Sequence, residues 1–399
     1  MSRKRRVTLT GLGVGLAAAG ATAAVSVVAD RLTRSLKMAR VLESAKDLDT
    51  YEEKASAEVV VIAGDGVPLH VEIDEPEHPP AGLTKGQGAP TVVFSHGYTL
   101  SLRSWVFQRR ALKEAGYRVV LWDQRGHGRS GAGSKESYNI DQLGHDLGAV
   151  IAQVAPEGPL VLVGHSMGGM TMMALAVQQP DLIKDRVLGV AFVATSPGGI
   201  SAVHWGLGTL LGRVVHRLGP VAVGQLARRQ GLVNLALKAG RDVEEYFVDL
   251  YSFASPVPLS IVRLTSDMIF KTRIEVISDF METLDSHDKR ESLEQFIGVE
   301  TLVLNGVQDQ LTPPEHSDEI VRMVPGAEHV LVEDAGHIIM LEHPDVVNEQ
   351  LLALIVRAQR AAAAHIDPRD KPRVRRLVTD LAKKRRVERA LRRRAKHAS

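Results

Sequence analysis

The chain has 399 residues, enough for one large catalytic domain or two ordinary ones. A hydrophobic content of 44% and a charged content of 24% are globular values that argue against disorder, and the absence of cysteine excludes disulfides, thiolate metal sites and a cysteine nucleophile. The net charge of +2 conceals an asymmetry: residues 1–40 carry +7, residues 367–399 carry +10, and the middle carries −15. Basic ends on an acidic body point to an anionic surface, membrane or polyanion rather than to an anionic substrate.

Arg3-Lys4-Arg5-Arg6 precedes an uncharged run over residues 7–29. At about 1.5 Å per residue this run reaches roughly 34 Å, enough to cross a bilayer core. Its length favours an uncleaved membrane anchor over residues 1–30, in a bacterial cell membrane or envelope. A cleaved secretory signal ending near Ala21-Thr22-Ala23 is the competing reading. Basic residues lie on both sides of the run, so its orientation stays open. Gly11-Leu12-Gly13-Val14-Gly15 follows no strand and is not a dinucleotide loop.

Residues 31–56 read as a charged linker helix. Residues 58–63 and 68–73 read as two strands joined across Gly64-Asp65-Gly66, a hairpin signal. A Pro/Gly-rich loop leads to a buried strand at 91–95. A helix at 105–115, a strand at 118–122 and a helix at 137–154 follow. Leu160-Val161-Leu162-Val163 is a continuous apolar run of the kind found in parallel sheets covered on both faces. It runs into Gly164-His165-Ser166-Met167-Gly168, a G-x-S-x-G turn, and then into a helix-compatible stretch at 170–178. Strand, tight turn and helix in succession force Ser166 into a strained conformation with its hydroxyl exposed, and the helix start aims N–H groups at whatever the serine attacks.

A further strand is expected at 187–194, after which the alternation of strand and helix stops. Residues 200–298 show helix-type patterns instead, at 207–218, 221–239 and 261–284, and read as a helical cap inserted at the carboxyl edge of a parallel sheet. The sheet resumes at 300–305 and 328–333, and a last helix covers 344–364. The expected organisation is a core from 57–199 and 299–365, a cap at 200–298 and a basic tail at 366–399.

A serine hydroxyl needs a base to act as a nucleophile at neutral pH, usually a histidine oriented by a carboxylate. Asp309 lies just after the strand at 300–305, and His337 lies in the loop after the last strand. Ser166, Asp309 and His337 then follow one another in the order serine, acid, histidine. Asp123 and Asp334 are rival acids. His96, His127 and His165 read as loop-fixing hydrogen bonders, and His204 and His216 as surface or lid residues of the cap.

Five motifs now stand in order: Phe94-Ser95-His96-Gly97-Tyr98, Asp123-Gln124-Arg125-Gly126-His127-Gly128-Arg129-Ser130, the Ser166 turn, Asn305 to Pro314 around Asp309, and Gly336-His337 with Glu342-His343-Pro344. Over about residues 55–360 the chain resembles the α/β-hydrolase superfamily, and within it the monoacylglycerol lipase, lysophospholipase and small-esterase group. The resemblance implies an α/β-hydrolase fold, a mostly parallel sheet with helices on both faces and a helical cap. It assigns Ser166 as nucleophile, His337 as base and Asp309 as its orienting acid. The backbone N–H groups of Tyr98 and Met167 then form the oxyanion hole. Serine rather than aspartate at the turn argues against dehalogenase or epoxide-hydrolase chemistry.

The expected activity is therefore cleavage of carboxylic esters with an apolar acyl group, with no metal or organic cofactor. A carbon–carbon bond hydrolase or a cofactor-free perhydrolase would use the same residues, and a non-catalytic binding protein of this fold is a further alternative. The expected partners are a small-molecule ester and a membrane, the latter through the N-terminal segment and the basic tail. Nucleic acid is not expected, because no aromatic stacking pattern accompanies the basic residues.

Overall fold

The computed structural model describes residues 51–81, 88–199, 248, 252–370, 372 and 374–398. The expected anchor over 1–30, the linker residues 31–50, His204, His216 and the helices expected at 207–218 and 221–239 lie outside the described residues. Among the described residues, no helix is long and apolar enough to cross a membrane.

The first two strands, β1 (Ala57–Ile62) and β2 (Pro68–Asp74), form the hairpin, closed by Gly66 at φ 88°. Then come β3 (Thr91–Ser95), α1 (Val106–Glu114), β4 (Val119–Trp122), α2 (Ile140–Val154), β5 (Leu160–His165), α3 (Met167–Gln178), α4 (Pro180–Arg186) and β6 (Val187–Val193). After residues 200–251 the chain continues through α5 (Leu259–Lys271), α6 (Ile274–Asp285), β7 (Glu300–Gly306), α7 (Pro314–Met323), β8 (Glu328–Val332), the single turn α8 (Ile339–Glu342) and α9 (Pro344–Ala364). It ends in β9 (Val374–Val378) and α10 (Leu381–Ala398).

The nine strands make one sheet in the order β1-β2-β4-β3-β5-β6-β7-β8-β9. The β1/β2 and β2/β4 pairs are antiparallel and all the others parallel. Successive strand residues point to opposite faces, so the sheet divides the interior into two cores. Val92, Phe94, Val161, Val163 and Val193 pack with Trp105 and the α9 residues Leu351 and Leu354. Val93, Leu160, Leu162 and Phe192 pack with Leu147 of α2 and Met172 and Leu175 of α3. Both faces are covered, which is why the central strands are apolar throughout.

From β3 the chain moves to β4 on one side and later returns as β5 on the other. The loops leaving β3 and β5 therefore diverge at the carboxyl edge, the crevice where open α/β sheets place their ligands.

Three local expectations need correction. Residues 51–56 are not helical: Tyr51 is buried edge-on against Phe107 and its hydroxyl meets Ser260 Oγ at 2.8 Å, which draws the segment out along the body. The helix expected at 261–284 is two helices, because Thr272 and Arg273 are extended (ψ 127° and 142°) and the Thr272 hydroxyl donates to Met268 O, competing with the helix ladder. The basic tail contains an edge strand, β9, whose Arg376 pairs with Glu328 of β8 and bonds Gln350 at 2.7 Å.

Candidate active site

The site is built where β5 turns into α3. Ser166 stands between them at φ 51° and ψ −120°, a left-handed φ that a non-glycine residue adopts only under constraint. The constraint is visible. The Ser166 N–H donates to Val193 O at 3.0 Å, and the Ser166 carbonyl accepts from Gly169 N at 2.9 Å and from Thr195 Oγ1 at 2.7 Å. The turn also needs close backbone approach: a Cβ at Gly168 would collide with Ser95 O of β3. Ser166 is 5% exposed.

Over the serine passes the loop leaving β3. A Cβ at Gly97 would lie 3.2 Å from Ser166 Cβ and 2.5 Å from His165 Nδ1, so only glycine lets this backbone so near. Tyr98 follows, its hydroxyl donating to Ile277 O of α6. Met167, at the first position of α3, has no carbonyl one turn earlier to bond. Tyr98 thus follows the glycine that passes over Ser166, and Met167 follows Ser166 itself. Around them Tyr138, Met170, Val276 and Phe280 form an apolar cluster to which α6 contributes, so the described part of the expected cap packs directly on this wall.

Asp309 and His337 come from the loops after β7 and β8, and His337 Nδ1 stands 2.9 Å from Asp309 Oδ2. The other carboxylate oxygen, Oδ1, accepts from Leu311 N and Thr312 N, both at 2.9 Å, while Thr312 Oγ1 donates to Oδ2 at 2.8 Å. Burial by itself would push the Asp309 carboxyl up. The neighbouring His337 and the bonds from His337 and Thr312 outweigh it and hold Asp309 below its ordinary value, as an anion. With a carboxylate at Nδ1, that nitrogen carries the proton and Nε2 is left as the basic one. The His165 ring lies 4.8 Å from that of His337, and His165 Nε2–H donates to the His337 carbonyl at 2.9 Å. The residue preceding the serine thus holds the backbone of the histidine. No hydrogen bond joins Ser166 Oγ to His337; in unliganded sites such contacts often tighten only with substrate.

The rival acids are engaged elsewhere. Asp123 accepts from Leu102 N and Arg129 N, both at 2.8 Å, and burial raises it to about 6. Asp334 meets Lys384 Nζ at 3.0 Å. His96 bonds Gln124 N and Gly97 O, and His127 bonds Arg125 O, so both fix loops. Burial pulls His96 well below the ordinary histidine value, His127 to about 4 and His165 to about 3, which keeps all three neutral. Sequence reasoning assigned no role to Thr312 or Glu342. The signal for Thr312 is its place three residues after Asp309, where a carboxylate caps the following turn. Among the described residues no cluster of three His, Asp or Glu is arranged to hold a metal. A cavity of about 360 Å³ is lined by Asp123 with Arg103, Arg129, Lys271, Glu58 and Glu72, and Ser166, Asp309 and His337 are not part of its lining.

A model described as the alpha/beta hydrolase fold matches residues 90–344. The acetyltransferase component of the acetoin cleaving system of Pseudomonas putida is 28% identical over 68% of this chain, which spans 64% of that protein, less than two thirds of its length. The mouse sn-1-specific diacylglycerol lipase ABHD11 is 28% identical, with 64% of this chain and 77% of the lipase covered. A 2-hydroxy-6-oxononadienedioate/2-hydroxy-6-oxononatrienedioate hydrolase of Escherichia coli is 26% identical, with 68% and 89% covered. Among solved structures, a bromoperoxidase from Bacillus anthracis superposes with a TM-score of 0.57 at 24% identity, covering 75% of this chain and all of that one. An esterase from Thermogutta terrifontis gives 0.55 at 21%, covering 76% and all of its chain. At these identities the structural likeness speaks for the fold.

Proposed function

Because the chain belongs to the alpha/beta hydrolase fold family, we propose that it is a serine hydrolase that cleaves carboxylic esters with an apolar acyl group through an acyl-enzyme. Ser166 Oγ adds to the ester carbonyl while His337 Nε2 takes its proton. The developing oxyanion is met by the N–H groups of Met167 and Tyr98, each such donor typically being worth about 10²–10³ in rate. Collapse expels the alcohol, which leaves with the proton from His337. Water, deprotonated by His337 in turn, then releases the acid and restores Ser166. Asp309 holds the Nδ1 proton and stabilises the imidazolium formed in each half.

Support for this reading comes from Ser166 at φ 51° under Gly97, from the His337–Asp309 pair, and from His165, which precedes the serine and bonds the His337 carbonyl. Support for an apolar acyl group comes from the Tyr98, Met167, Met170 and Phe280 wall and from the diacylglycerol lipase relative. A second reading, in which the same serine and histidine act on a carbon–carbon bond, is favoured by the relative from Escherichia coli.

The test is initial rates on p-nitrophenyl esters from acetate to palmitate, with Ser166→Ala as control. A serine-dependent rate rising towards medium or long acyl chains is expected. A preference for acetate would remove the apolar acyl group from the reading. Absence of serine-dependent hydrolysis at every length would overturn ester cleavage in favour of the carbon–carbon reading.

A further inference from the structure

The family match ends at residue 344, yet the chain goes on to β9 and α10 and brings them back to the loop that carries His337. Because β9 is parallel to β8, both strands end at the same sheet edge, and α10 starts beside the β8 loop. Two chains of polar contacts then run towards His337, one from α10 and one from Asp380 just before it.

The first starts at Lys383. Its Nζ donates to Ser255 Oγ at 2.6 Å and to the Glu342 carbonyl at 2.9 Å. Ser255 Oγ donates to Glu342 Oε1 at 2.7 Å, which also accepts from Ala254 N at 2.9 Å. The other oxygen, Glu342 Oε2, accepts from Gly336 N at 2.7 Å, and Gly336 immediately precedes His337. The residue after His337 is tied to the same segment, since Ile338 N donates to Ser252 O at 3.0 Å. Glu342 is 2% exposed, so its carboxylate depends on these donors and on a nearby cation. The second chain runs from Asp380, whose Oδ2 meets His343 Nδ1 at 3.0 Å, while His343 Nε2 meets Asp334 O at 2.8 Å. Lys384 Nζ lies 3.0 Å from Asp334 Oδ2.

We propose that the β9–α10 unit is a clamp on the loop of the general base, with Lys383 as the positioning residue that acts on His337 through Ser255 and Glu342. The inference rests on the reading of His337 as that base. Burial pulls the Lys383 ammonium down to about 8 against the attraction of Glu342 and Asp380, as expected for a cation committed to an internal contact. Without it, Ser255 Oγ and the Glu342 carbonyl lose their donor, the buried carboxylate loses the attraction of a neighbouring cation, and Gly336 is released. The imidazole of His337 then drifts from Asp309 and Ser166, and misplacement of about 1 Å can cost up to about 10²-fold in rate.

The test uses the full chain and two readouts: Ser166-dependent turnover of a p-nitrophenyl ester, and the downfield NMR signal of the His337 Nδ1 proton, assigned by its loss in His337→Gln. Lys383→Met is expected to lower kcat by about tenfold or more with KM little changed, and to shift or broaden the proton signal. Lys383→Arg should restore part of both. Arg385→Ala, on an exposed face of the same helix, should change neither. Lys383→Gln, which keeps a neutral donor, serves if the methionine variant fails to fold. A folded Lys383 variant with wild-type kcat, or with lowered kcat but an unmoved proton signal, would overturn the proposal. Failure of the hydrolase reading looks different: the wild-type chain itself would show no Ser166-dependent turnover, and the proton signal alone would then decide whether Lys383 positions His337.

Discussion

A left-handed φ at a non-glycine residue costs on the order of 1–3 kcal/mol, and at Ser166 four hydrogen bonds to its N–H and carbonyl, with the glycines that allow close approach around it, maintain that conformation. Asp309 is as tightly held, with four donors around two oxygens. Asp309→Asn keeps the shape and an acceptor for Leu311 and Thr312, but it removes the charge and permits the wrong histidine tautomer. We expect kcat on a p-nitrophenyl ester to fall by about 10⁴ with an unchanged thermal midpoint; a variant of near wild-type rate would exclude Asp309 from the chemistry. Ser166, Asp309 and His337 could be singled out from the sequence because each follows a buried strand. Thr312 and Glu342 could not be given roles, because their bonds run to Asp309 and Gly336 through turns that no periodicity records.

At the scale of elements, legibility followed hydrophobic patterning. The β1/β2 hairpin, the buried β3 and β5 and the long α9 could be read directly, since apolar alternation, continuous apolar runs and helical spacing report burial. Where charge replaces hydrophobicity the pattern is silent. β9 reads Val374-Arg375-Arg376-Leu377-Val378, and what seats it on β8 is Arg376 against Glu328 and Gln350, a pairing that exists only once the sheet has formed. The break between α5 and α6 is equally local, set by the Thr272 hydroxyl and an extended Arg273 within a stretch of unbroken helical periodicity. Tyr51 shows the reverse case, where one aromatic contact and one hydrogen bond override the helix propensity of a charged segment.

For the molecule as a whole, the switch between β4 and β5 around β3 assembles the site, and several buried histidines come with it. Burial pulls His127 and His287 to about 4, His165 to about 3 and His96 well below its ordinary 6.5. In the unfolded chain these imidazoles take up protons near pH 6.5, whereas in the folded chain they stay neutral. Stability is therefore fully present above about pH 6.5. It is lost as pH falls from there towards about 4, by up to about 1.4 kcal/mol per pH unit for each histidine. The thermal midpoint should be level between about pH 8, below which Lys383 is charged in both states, and about pH 7, and should then decline to about pH 5 as the histidines come into play. A midpoint independent of pH over that range would contradict neutral burial of these rings.

Ester cleavage as proposed passes through an acyl group on Ser166. Mass spectrometry of the chain quenched during turnover of a slowly deacylating p-nitrophenyl ester, followed by peptide mapping, would detect that intermediate. One acyl group is expected on the peptide containing Ser166, absent from Ser166→Ala and lost on standing as the acid is released. Turnover with no adduct, or an adduct on any other residue, would contradict it.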